Sequence, residues 1–202
     1  AYMGLSAGLD FETKLFAKSD AARLLERELS RPGYEPKTIA IGTNTDPYQP
    51  IEKQRRIMRD ILEVLDAANH PVGIVTKSAL VTRDIDILSR MASRGLAKVA
   101  LSVTTLDRKL ARTMEPRAAT PGKRLEALKQ LNEAGIPVSV MMAPVIPGLN
   151  DHEIERLLDA ARGQGALEQR RLRPGLAVHA VGKALPPQEL FGQLVLAGPA
   201  AV

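Results

Sequence analysis

The 202-residue chain is 45% hydrophobic and 25% charged, which is ordinary globular composition and enough chain for one continuous core. It contains no cysteine, which excludes disulfides, a thiolate nucleophile and Cys-ligated metal, and no Trp, so the core must rest on aliphatic side chains and Met. The formal charge of +5 favours anionic partners, nucleic acid among them, but basic and acidic residues alternate in RLLERELSR (23–31) and KQRRIMRDILE (53–63), which reads first as solvated helix faces.

In chain order, a helix is predicted over 19–30, with Ser19 and Asp20 at its start, Leu24, Leu25 and Leu29 at helical spacing, and Pro32-Gly33 as its stop. TIAIGT (38–43) reads as a short buried strand. After the turn-rich TDPYQPIE, one long helix is predicted from about Pro50 to Ala68, with Ile57, Ile61, Leu62 and Leu65 on one face. HPVGIVTK (70–77) is the second strand, and 82–94 a helix with Ile85, Leu88 and Met91 inward. AKVALSVT (97–104) is the third strand. Thr120-Pro121 opens a helix bearing Leu125, Leu128 and Leu131, closed by Gly135, and IPVSVMMAPVI (136–146) is the fourth strand. Asn150 with Glu153 has the spacing of a capping box ahead of Ile154, Leu157, Leu158 and Ala161.

Strands that are almost wholly apolar, alternating with helices, indicate a parallel sheet covered by helices. Each strand runs into a polar loop: TNTDPY, TKSA, SVTTLD and APVIPGLND. Ligands of parallel α/β folds sit at the carboxyl ends of strands, where all four loops fall.

The segments GTNTDPYQPIE, IVTKSALVTRDIDIL, ALSVTTLD and MEPRAATPGKRLEALKQLNEAGIPVSVMMAPVIPGLND together resemble the radical S-adenosylmethionine (radical SAM) superfamily. The likeness is to a bacterial family related to the spore photoproduct lyase branch, and it covers roughly residues 2–165. It implies an α/β fold, a partial (β/α)6 TIM-like barrel. In the intact family a three-cysteine loop holds a 4Fe-4S cluster, and reductive cleavage of S-adenosyl-L-methionine yields a 5′-deoxyadenosyl radical. That loop and the first strand would precede Ala1, so the resemblance leaves this chain without the thiolates for the cluster.

By the same resemblance, Thr43, Asn44, Thr45 and Asp46 fall where the superfamily binds the methionine amino group, and their oxygens suit an ammonium. The alternative is a turn whose Asn and Asp cap backbone donors. Lys77 would pair with the methionine carboxylate or a substrate anion. Ser102 and Thr104 share a face, either as ribose-binding hydroxyls or as small polar filler. In PVIPGLND, Ile146 and Gly148 match the adenine-contacting pattern Gly-x-Ile-x-Gly-x-x-Glu, while Pro144 replaces its first glycine and Asp151 its glutamate. Glu115 and Arg124 come within reach of the site, although a helical Arg is ordinarily solvated. Asn44 stands about where spore photoproduct lyases carry a hydrogen-donating cysteine, so photolesion repair is not implied. No catalytic residue or metal ligand is assigned, and His70, His152 and His179 receive no role.

The expected division is an incomplete radical SAM core over 1–165 and a divergent or frameshifted tail over 166–202. One codon choice for RRLRPGLA (170–177), read one base later, encodes Ala-Ala-Tyr-Val-Leu-Val-Ser, a strand-like sequence. The sequence has no apolar run near the ~20 residues of a membrane helix and no signal peptide at its start, so a cytoplasmic protein is expected. The leading expectation is a radical SAM protein of unknown substrate, inactive as this chain. Beside it stand a non-catalytic barrel module that binds nucleic acid or another anionic partner, and an unrelated barrel enzyme acting on phosphorylated metabolites.

Overall fold

A computed structural model describes residues 15–164; the tail over 166–202 and His179 lie outside the described residues. Four strands form one parallel sheet in chain order: β1 Ile39–Ile41, β2 Val72–Thr76, β3 Ala97–Ser102 and β4 Val138–Met141. Their registers align Ile39 with Val72, Val72 with Ala97, and Val99 with Val138. The helices are α1 Ala21–Leu29, α2 Glu52–Arg55, α3 Ile57–Ala67, α4 Ile85–Ser93, α5 Arg108–Met114, α6 Pro121–Glu133 and α7 Ile154–Gly163. Short 3-10 turns, Ala79–Asp84 and Asp151–Glu153, introduce α4 and α7. The parallel strand–helix alternation read from the sequence is therefore the fold.

The core forms where the helices cover β2 and β3. Leu62, Leu65, Ile74, Ile87, Leu88, Met91, Leu101, Leu128, Leu131 and Ile136 are wholly buried there. Truncating one such Leu to Ala costs roughly 2–5 kcal/mol, through lost burial and the cavity left behind. No helix among the described residues is long and apolar enough to cross a membrane.

Several local expectations change. The predicted Pro50–Ala68 helix is two helices, because Arg56 takes a left-handed conformation (φ 53°) between α2 and α3. The buried Glu52 carboxylate accepts the Met58 N–H across this break (3.1 Å), providing a partner that an unbroken helix would not need. Met58 is buried while Ile57 and Ile61 are only half-buried. The 82–94 segment begins as a 3-10 turn, and Ile87 rather than Ile85 joins Leu88 and Met91 in the core. In α1 no residue is buried; Leu25 and Leu29 pack partly against the core and Leu24 stays exposed. Helix α5 was not anticipated. Its signal was Asp107, whose carboxylate accepts the Lys109 and Leu110 N–H groups (2.6 and 2.9 Å) as an N-cap.

Candidate active site at the carboxyl rim of the sheet

The loop after β1 reaches the rim through Gly42. Its φ is +97°, and a Cβ there would lie 1.9 Å from the Val75 carbonyl oxygen, so only glycine lets the chain pass this close to β2. Asp46 then anchors the loop. Its Oδ1 accepts from the Tyr48 N–H (2.9 Å) and the Thr76 hydroxyl (2.7 Å), and Oδ2 accepts from the Lys77 N–H (2.7 Å). Asp46 thus serves the backbone-capping role that was the alternative to ligand binding. Thr43, Asn44 and Thr45 differ: they are exposed, and their side chains make no hydrogen bond among the described residues.

A second anchor lies behind this loop. The Tyr48 hydroxyl donates to Asp84 Oδ2 (3.1 Å) in a fully buried position. Arg83 bridges Asp84 (2.8 Å) to the Glu52 backbone carbonyl (2.6 Å). Burial and the adjacent Asp84 carboxylate raise the Tyr48 phenol far above its ordinary range, so it remains a neutral donor.

At the end of β2, Lys77 Nζ pairs with Glu115 Oε1 at 2.7 Å. The same oxygen accepts from the Thr104 hydroxyl (2.8 Å). Glu115 Oε2 accepts from Arg124 Nη2 at 2.6 Å. Arg124, read from the sequence as reaching the site against the ordinary solvated outcome for a helical Arg, is 1% exposed, with Nη1 donating to the Ser102 carbonyl (2.8 Å) and Nε to the Ala119 carbonyl (2.7 Å). A guanidinium can be buried here because it has both a counter-charge and satisfied N–H groups. Burial pushes the Glu115 carboxyl up, but Lys77 and Arg124 outweigh this and hold it below the usual carboxylate range. Ser102 and Thr104 are both buried, and Thr104 is engaged with Glu115.

The loop after β4 is tied in by Asn150, which is fully buried. Its Oδ1 accepts from the Ile146 N–H (2.6 Å), and its Nδ2 donates to the carbonyls of Thr104 (2.9 Å) and Pro144 (3.0 Å). Glu153 Oε2 accepts from the Thr105 hydroxyl and the Leu106 N–H, both at 2.7 Å. The expected capping box is therefore absent. Both side chains face the loop after β3 instead, where buried N–H and C=O groups would otherwise lack partners. Ile146 is half-buried, and Gly148 is exposed with φ +74° and open space where a Cβ would sit.

These bonds link all four strand-end loops, from Asp46 through Lys77, Glu115 and Thr104 to Asn150 and Ile146. Among the described residues there is no group of three His, Cys, Asp or Glu able to hold a metal ion. His70 is buried against the Tyr34 hydroxyl (2.8 Å) and His152 is exposed, both away from this network.

Residues 17–161 match the radical SAM superfamily. The chain belongs to that superfamily. It is 36% identical over 167 residues to the uncharacterized protein Rv2578c of Mycobacterium tuberculosis, a match covering 82% of this chain and 49% of that protein. It is also 36% identical over 115 residues to the uncharacterized protein MJ0683 of Methanocaldococcus jannaschii, covering 57% of this chain and 43% of the relative. The chain thus spans about half the length of the curated relatives it matches. Among solved structures, a spore photoproduct lyase mutant superposes with TM-score 0.57 at 18% identity, over 74% of this chain and 43% of the lyase. Streptococcus suis SuiB bound to S-adenosylmethionine gives 0.53 at 18% identity, over 75% of this chain and 33% of SuiB. These likenesses establish a shared fold: the four parallel strands are a segment of the radical SAM partial barrel.

Radical SAM chemistry depends on a cluster held by cysteine thiolates, and none of the 202 residues is a cysteine. The residues present do not fit that cluster.

Proposed function

We propose that this chain is the S-adenosylmethionine-holding part of a radical SAM protein and that these 202 residues by themselves do not cleave the cofactor. The observation that carries the reading is the continuous hydrogen-bond network joining the four strand-end loops into one rim. The chemistry of that rim suits a zwitterionic nucleoside. Thr43, Asn44 and Thr45 offer acceptors to the methionine ammonium, and Lys77 offers charge to the carboxylate. On this reading the Ser102 and Thr104 hydroxyls are assigned to the ribose, Ile146 to apolar packing against the purine, and Gly148 to the open backbone beside it. Asp46 contributes by fixing the first loop.

The core is assigned to 1–165 and the tail to 166–202; sequencing the source DNA for a strand-like shifted frame at codons 170–177 tests the frameshift. Equilibrium dialysis of the purified chain against labelled S-adenosylmethionine, followed by an anaerobic assay with iron, sulfide and reductant, tests the function. Cofactor binding without 5′-deoxyadenosine is expected. Absence of binding removes the first half of the reading, and 5′-deoxyadenosine from this chain alone removes the second.

A second reading, a module that binds nucleic acid, draws on one observation. Lys53, Arg55 and Arg56 after β1, and Arg108 and Arg112 after β3, are exposed and form no ion pair among the described residues. Single-stranded DNA or RNA binding that weakens steeply with salt is its signature.

A further inference from the structure

We propose that the face of the sheet turned away from the helices is a substrate chamber, and that Lys98 on β3 binds there the oxyanion of an elongated, mostly apolar substrate, a carboxylate or a phosphate ester. The proposal rests on the cofactor reading above for where the reacting end of the substrate must point, and it adds the substrate class.

Strand register separates the two faces. Ala40, Gly73 and Lys98 pair across the sheet in one row, Val75, Ala100 and Ser139 in the next, and Ser102 with Met141 in the row at the carboxyl rim. Residues two apart on a strand share a face, so the three rows lie together. The hydrophobic core takes the alternate residues, Ile74, Val99, Leu101 and Val138 among them. Ala40, Val75, Ala100 and Met141 belong to no core cluster among the described residues. Helices ring the outside of a β/α barrel, so the face they leave uncovered is the inside.

Charge gives the ligand class. Lys98 is the only charged residue in the four strands, and it stands on this face. It is exposed, and its ammonium has no hydrogen bond or ion pair among the described residues. Gly73 places its stem: a Cβ there would lie 3.3 Å from Lys98 Cε and 3.8 Å from Cγ, so the bare glycine lets the methylenes lie across β2. None of the three rows contains an acid. A lone cation on an otherwise uncharged concave face attracts an anion, and its three N–H donors suit an oxyanion.

Position gives the ligand's shape. Ser102 lies on the same strand and face as Lys98, higher by about 13 Å at 3.3 Å per residue. A substrate with its oxyanion at Lys98 and its reacting carbon at the rim therefore crosses the row of Val75, Ala100 and Ser139. That row is half-buried and mostly apolar, which suits an apolar body between the two ends.

The test titrates the full chain, carrying carbon-13 in its lysines and methyl groups, with hexanoate, hexyl phosphate and the uncharged 1-hexanol at constant ionic strength. The ε-methylene signal of Lys98, identified by its loss in Lys98→Gln, should shift saturably with at least one of the anions. The methyls of Val75, Ala100 and Met141 should follow with the same dissociation constant. Hexanoate alone then assigns a carboxylate substrate, and hexyl phosphate alone a phosphate ester. Lys98→Gln should weaken anion binding roughly fivefold, the scale of a partly exposed ion pair, without changing the response to 1-hexanol, and Lys98→Arg should retain it. A Lys98 signal that moves no more than those of the solvated Lys18 and Lys37 overturns the proposal, as does anion affinity unchanged in Lys98→Gln or equal affinity for 1-hexanol. Shifts of the same signals on dilution without ligand would show a second copy of the chain on this face, which also overturns it. The probes contain no cofactor, so S-adenosylmethionine binding with no anion response at Lys98 removes this proposal alone, and the reverse result removes the cofactor reading.

Discussion

Lys77 and Glu115 meet across the mouths of successive strands, with Nζ 2.7 Å from Oε1, and the contact joins the loop after β2 to the segment that follows α5. The carboxylate is nearly buried, and its pKa is held down by Lys77 and Arg124 against the opposing effect of burial. A carboxyl whose folded pKa lies below its unfolded value adds stability above the unfolded value, and that stability is lost as pH falls through the folded value. Urea-unfolding midpoints should therefore show Glu115→Gln well below wild type at neutral pH, with the gap closing as pH drops below the ordinary carboxylate range. A gap that does not change with pH would show that Glu115 titrates alike in both states.

The two rim glycines should respond differently to substitution. Gly42→Ala would force a Cβ to 1.9 Å from a β2 carbonyl, so the loop or the strand must move. Gly148→Ala meets no atom within 4 Å and carries only the left-handed backbone cost, about 1–2 kcal/mol. Denaturation of the two variants should show a markedly larger loss for Gly42→Ala. Equal losses would mean that the β1 loop can leave β2 at little cost.

Asn150 supplies one acceptor and two donor contacts to backbone groups of two loops. Asn150→Ala should destabilise by roughly 2–4 kcal/mol, because those buried groups lose their partners. Asn150→Asp is the sharper variant. It keeps the acceptor for Ile146 but turns an anion towards the Thr104 and Pro144 carbonyls, so it should be worse at neutral pH and recover in acid as the carboxyl protonates. Wild-type-like stability of Asn150→Asp at neutral pH would contradict the hydrogen-bond assignment.

The sequence made the architecture legible because the strands are short apolar runs with polar loops at their carboxyl ends, a pattern visible locally. It also placed Lys77, Thr104 and Asn150 in the right loops. What it could not show were the partners. Arg124 looks like any helical arginine until Glu115, nine residues earlier, folds back over it. The Asn150/Glu153 spacing is real, yet Glu153 and the Asn150 amide N–H find groups 46 to 48 residues away, and the Asn150 oxygen turns back to the Ile146 N–H instead of the helix N-terminus. The break at Arg56 carries no Gly or Pro; its visible support is the Glu52 carboxylate, which accepts from the Met58 N–H six residues on, across the break. Local pattern reports elements, whereas contacts between loops depend on how the elements stack.

The central claim, that the carboxyl rim of this sheet holds S-adenosylmethionine, is tested most directly by amide chemical-shift mapping of the chain titrated with the cofactor. Saturable shifts concentrated at Thr43–Asp46, Lys77, Ser102–Thr104 and Ile146–Gly148 are expected, and those in the first two segments should weaken with 5′-methylthioadenosine, which lacks the amino-acid end. Saturable shifts confined to the opposite edge of the sheet, or none at the highest soluble cofactor concentration, would contradict it.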